Sequence, residues 1–255
     1  GGVERGALDI FRYLNKNNIK NYIFCENYDA DLLTIEEKKS VYTSKGLKFK
    51  KLFNFFKLNS ILSDLVKTNK INLIHISSRA PALVFYKNIK NKKINYVTSF
   101  HNPYTGNFFK KLYNSYLVKG DVVICNSNFT QNYLIKNFKI DKKKIFSIPR
   151  GTDLDYFNPE DISQSIIDDK KESLNISRED TVISVPSRFS KWKGHKRILS
   201  FLSSQSPSII KELKLILIIE KSKLNKDELF RNCDSLLKKN IRIIHPTRNI
   251  KEIYA

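Results

Sequence analysis

Short apolar runs alternate along the chain with longer stretches in which apolar positions recur at helical spacing. The runs are Asn21–Glu26, Ile71–Ser77, Ile94–Phe100, Asp121–Ser127, Lys144–Pro149, Thr181–Pro186, Leu213–Ile219 and Asn240–Pro246, and each predicts a strand. Several are continuously apolar, the pattern of strands buried on both faces of a parallel sheet. In KLFNFFKLNSILSDLVK, from Lys51 to Lys67, the residues Leu52, Phe55, Phe56, Leu62 and Val66 are expected on one helical face. Such alternation predicts α/β doubly wound domains.

The rhythm breaks after Gly151 in a polar, locally acidic stretch that includes Asn158-Pro159, and it restarts at Thr181. This predicts one domain over 1–155, a linker over 156–178 and a second domain over 179–255. The opening, GGVERGALDIFRYL, reads as a chain that begins just past a strand: two glycines allow close backbone approach, and the following helix offers free N–H groups. Flexible terminal glycines are the plainer reading.

Composition changes the picture in one respect. With 46 lysines and arginines against 25 acidic residues the net charge is +21, which favours polyanionic partners. The basic residues are diffuse, however, and neither a helix-turn-helix nor an RNP-type motif is present, so a nucleic-acid-binding module is disfavoured. Cys25, Cys125 and Cys233 are scattered, without disulfide or zinc spacing, as fits a reducing cytoplasm. The longest apolar run, near Leu213–Ile219, is strand length, well short of the ~20 residues that span a bilayer.

Candidate chemistry gathers where strands end. In SVPSRFSKWKGH an apolar strand runs into Arg188, then Lys193 and Gly194, before a new helix. Cations at such a junction commonly meet an anion. His101, in SFHNPY, follows another strand at the end where doubly wound sheets bind ligands, although a lone histidine there is often structural.

These pieces, taken in order, resemble a known family. GGVER, HISSRAPA, VTSFHNPY, VICNSNFT, IPRGTDLDYFNP and SVPSRFSKWKGH resemble the motif series of retaining glycosyltransferases of family 4, especially the bacterial lipopolysaccharide and surface-polysaccharide branch. The resemblance implies a GT-B fold of two facing Rossmann-like domains, the first on the acceptor side, the second binding a nucleotide-sugar and here incomplete. It implies metal-independent transfer from a nucleoside-diphosphate sugar to a glycan or lipid-linked glycan, with no resident cofactor. Arg188 and Lys193 would hold the donor diphosphate with Gly1 and Gly2, and His101, Arg188 and Lys193 would be catalytic. Breaking the sugar–phosphate bond leaves negative charge on the diphosphate, and each charge-assisted contact is worth roughly 1.5–3 kcal/mol. Arg79, His101 and Asn102 would face the acceptor, with helix capping or a carboxylate partner as the alternative for Arg79. His75 reads as buried structure, His195 as loop support, and Trp192 as a lid or exposed aromatic surface. A cytoplasmic enzyme is expected, peripheral to the anionic inner face of the inner membrane through its basic surface, including Lys48–Lys51.

Two further patterns are set aside. Asp29/Asp31 and Asp153/Asp155 match the DxD metal signature but lack its phosphate-binding context. Glu220 and Glu228 imitate the family's E-x7-E motif, which is expected beyond Ala255. The family pattern is also departed from at Arg150, where asparagine is common, and after Leu213–Ile219, where a glycine-rich turn is usual. A nucleotide-sugar epimerase or a phosphorylase on the same fold is the alternative enzyme.

Overall fold

The structure, a computed structural model, describes residues 2–45, 53–91, 93–103, 108–220, 224–247 and 249–255. The chain divides into two compact units, Gly1–Gly151 and Thr152–Ala255.

In the first unit the order is α1 (Gly2–Lys16), β1 (Ile23–Cys25), α2 (Ile35–Lys38), β2 (Val41–Thr43), α3 (Phe53–Asn69), β3 (Leu73–Ile76), α4 (Arg79–Asn91), β4 (Asn95–Phe100), α5 (Phe108–Ser115), β5 (Val122–Cys125), α6 (Asn128–Phe138) and β6 (Ile145–Ser147). Strands β3, β4, β5 and β6 form one sheet in that order, β1 and β2 pair separately, and every pairing is parallel. Local chemistry sets the element ends. Thr34 and Glu37 form a reciprocal capping box on α2, and Ser127 caps α6 by accepting from the Thr130 N–H. Tyr96, Phe100, Val123 and Cys125 from the sheet are buried with Leu58, Val84, Phe85, Ile89 and Leu134 from α3, α4 and α6.

Two details differ from the sequence reading. Strand β2 was not among the expected runs; at three residues it is too short to show a period. Phe56 is 78% exposed, because Phe55, Leu58, Leu62 and Val66 take the core-facing stripe and the next residue is turned ~100° away. Leu52 and Lys48–Lys51 lie outside the described residues, as does Gly1.

The second unit contains α7 (Gln164–Ser173), β7 (Thr181–Pro186), α8 (His195–Ser203), α9 (Pro207–Glu212), β8 (Leu213–Ile218), α10 (Lys226–Phe230), α11 (Ser235–Lys239), β9 (Ile241–Ile244) and α12 (Lys251–Tyr254). Its parallel sheet has the order β7-β8-β9. Central strand β8 is almost wholly buried, against Leu199, Leu202, Leu229 and Leu237 from the helices, which explains its unbroken apolar sequence. The stretch 156–178 holds α7, tied to the rest of its unit by Arg242 Nε donating to the Leu174 carbonyl (2.7 Å) and by Lys170–Glu252 (3.3 Å). Both units are therefore α/β with parallel sheets, as the alternation of runs predicts. No described helix is long and apolar enough to cross a membrane.

Candidate functional site

Each unit carries candidate residues at the carboxyl ends of its parallel strands, the edge at which such sheets bind ligands. In the second unit β7 ends at Pro186, and Ser187, Arg188, Phe189 and Ser190 lead into a 3₁₀ turn, Lys191–Lys193. Gly194, at φ +75°, then turns the chain into α8. That left-handed conformation suits glycine. Arg188 and Lys193 are both exposed, and among the described residues no ion pair neutralises either. His195 is buried at 2% exposure; its Nε2 lies 3.2 Å from Ser187 Oγ and its ring packs on Phe189. Burial pushes the His195 pKa below its ordinary value, with Lys193 adding to the effect, so the imidazole is neutral near pH 7. The ring thus joins the strand end beside Arg188 to the helix start beside Lys193. Loop support is the role the structure gives it. Trp192 is 88% exposed.

In the first unit His101 directly follows β4. Arg150, beyond β6, donates from Nη2 to His101 Nδ1 (3.1 Å) and from Nη1 to the Gly2 carbonyl in the first turn of α1. Burial lowers the His101 pKa, and the charges of Arg150 and His75 lower it further, while the Ser77 backbone acts in the opposite sense. A Cβ at Gly2 would stand 2.8 Å from Arg150 Nη1, so the glycine is what lets the guanidinium lie against α1. Deeper in the sheet, His75 Nε2 sits 2.7 Å from Ser99 Oγ, and burial depresses its pKa.

The other expected contacts fall as follows. Arg79 opens α4 and directs its guanidinium at α5: Nη1 donates to Asn114 Oδ1 (3.3 Å), and the group stacks over the Tyr113 ring (5.4 Å). Asn102 is exposed beside His101. Asp29 and Asp153 turn inward on their own backbone, accepting from the N–H groups of Asp31 and Tyr156. Glu228 lies on α10 and pairs with Lys196 at 2.7 Å. Sequence reasoning noticed Arg150 only as a departure from pattern. Its contact with His101 joins residues far apart in the chain, and no local period carries that signal.

Comparison with known proteins agrees with this fold. Residues 1–156 match the model of Glycosyltransferase Family 4. A glycosyltransferase from Rickettsia africae ESF-5 is 28% identical, with a TM-score of 0.80 over 100% of this chain and 67% of that one. HepE of Anabaena, solved in complex with UDP-glucose, is 17% identical with a TM-score of 0.78, covering 99% and 68%. WaaG, a glycosyltransferase involved in lipopolysaccharide biosynthesis, is 10% identical with a TM-score of 0.66, covering 99% and 69%. No curated protein matches the chain. The fold shared with these structures is the GT-B glycosyltransferase fold with Rossmann-like domains. Since the family model spans more than half of its residues, this chain belongs to glycosyltransferase family 4.

Proposed function

We propose that this protein transfers a sugar from a nucleoside-diphosphate sugar to a glycan or lipid-linked glycan, retaining anomeric configuration, in cell-surface polysaccharide synthesis. The observation that carries the reading is the pair Arg188 and Lys193, exposed and without ion-pair partners among the described residues, on the loop after β7 in a member of family 4. The complex of HepE with UDP-glucose supports a nucleotide-sugar donor, and the likeness to WaaG supports a surface-polysaccharide product.

In the reaction the bond between the anomeric carbon and the diphosphate oxygen breaks. The acceptor hydroxyl bonds to the same face of that carbon, and its proton passes to the departing diphosphate. On the second unit Arg188 and Lys193 stabilise the charge developing on the leaving group; on the first unit His101 contacts a sugar and the Gly2 end of α1 offers N–H groups to an anion. Asp29 and Asp153 serve as turn caps, and the cations supply the electrostatics that a divalent ion supplies elsewhere, so turnover is expected to persist in EDTA.

The protein would work at the cytoplasmic face of the inner membrane. Helix α5 supports this, exposing Phe108, Phe109 and Leu112 together with Lys110 and Lys111. The test is calorimetric titration with UDP, GDP and ADP, wild type beside Arg188→Ala and Lys193→Ala. Selective binding of one nucleotide, weakened at least tenfold by either substitution, is expected; equal binding by all three proteins ends the diphosphate role. Binding to anionic vesicles that is lost at raised salt, or in a Phe108→Ser/Phe109→Ser variant, tests the membrane role.

A further inference from the structure

The contact between Arg150 and His101 says more than that two side chains touch. A guanidinium has only N–H donors, so at this contact the histidine Nδ1 must accept. A neutral imidazole whose Nδ1 accepts carries its proton on Nε2. That Nε2 is itself buried and makes no hydrogen bond of full geometry among the described residues, while the Ser77 backbone lies close enough to the ring to favour its protonated form. The same guanidinium is anchored on the Gly2 carbonyl, so its position is set by α1 as well as by the loop that bears it.

We propose that Arg150 is a positioning residue for His101, holding the imidazole neutral with its proton on Nε2 and making it a hydrogen-bond donor, rather than a base, at that nitrogen. The charge pattern agrees. Arg150 faces the ring from the loop after β6 and His75 faces it from β3; both disfavour imidazolium, and the Ser77 backbone is the opposing influence. A histidine in this state cannot take a proton at Nε2. At that nitrogen it can only donate, so the ring is excluded as the base that takes the acceptor's proton. The inference extends the sugar-site reading of His101 and rests on it.

The test uses long-range proton–nitrogen NMR of the imidazole rings in the whole labelled chain. The His101 signals are assigned by their loss in His101→Gln. His195, in the second unit, serves as the internal standard for folding. In the wild type a single Nε2–H tautomer with a hydrogen-bonded Nδ1 is expected at pH 7.5. In Arg150→Leu the Nδ1 resonance should move to its unbonded position, and the His101 titration midpoint should rise by about half a unit or more. Arg150→Lys should restore both, and Arg150→Gln, a donor without charge, should restore the tautomer more than the midpoint. An Nδ1–H tautomer in the wild type, or an Arg150→Leu spectrum identical to it, overturns the proposal. These spectra need no substrate. If they come out as expected while His101→Gln transfers sugar at the wild-type rate, the sugar-site reading of His101 fails and the hold of Arg150 on the ring stands.

Discussion

Ser187 Oγ and His195 Nε2 lie 3.2 Å apart and close the loop that carries Arg188 and Lys193. The histidine is buried, the serine half-buried, and both cations between them are exposed. The loop therefore has a fixed, neutral base and a charged rim.

Removing the hydroxyl should loosen that base without unfolding the unit. Ser187→Ala is expected to cost ~1 kcal/mol in stability and to weaken nucleotide binding about fivefold, although neither cation is altered. Calorimetry beside a denaturation curve checks this. Wild-type affinity in the variant would show that the contact does not position the cations.

Stability should depend on pH below neutrality. His75, His101 and His195 all have pKa values lowered by burial, so the native state binds fewer protons than the unfolded chain. Stability then rises with pH from the native values up to the unfolded value, about 6.5, and is fully present above it. The urea midpoint should be lower at pH 5.5 than at pH 7.5. Equal midpoints would mean that the native rings titrate as they do in the unfolded chain.

Gly120 is required by space. A Cβ there would meet the Val122 carbonyl oxygen at 2.6 Å and Thr98 Oγ1 at 2.8 Å. Thr98 is wholly buried and donates to the Leu117 carbonyl at 2.7 Å, so it has little room to yield. Gly120→Ala is expected to destabilise by about 1–3 kcal/mol in chemical denaturation. An unchanged midpoint would mean that the turn relaxes freely.

Asp180 carries a similar load in the second unit. Its carboxylate is 7% exposed, 3.2 Å from Lys214 Nζ, and it accepts from the Ser177 N–H and hydroxyl. Burial by itself would raise its pKa, but the Ser177 and Lys214 contacts outweigh that and hold it low. Asp180→Ala would leave the Lys214 ammonium and the Ser177 donors without their partner, at a cost of ~1 kcal/mol. Asp180→Ala with Lys214→Met should recover much of it, and a double variant no better than the single would remove the ion pair from the explanation.

The sequence by itself determined the α/β class, the positions of all the strands but β2, and the strand-end loops that bear His101, Arg188 and Lys193. Each of these is written in local patterns: apolar runs in a parallel sheet, helical spacing, and glycine or serine at element ends. Tertiary structure decided what those patterns do not encode. It turned Phe56 outward, because a stripe of limited width was already filled by its neighbours, and it directed the Arg79 guanidinium to Asn114 and Tyr113 on α5. It folded 156–178 around a helix that packs within its own unit. It also brought Arg150 to His101 and Ser187 to His195. A hydrogen bond across a fold depends on where backbones pass one another in space, and no periodicity along the chain reports that.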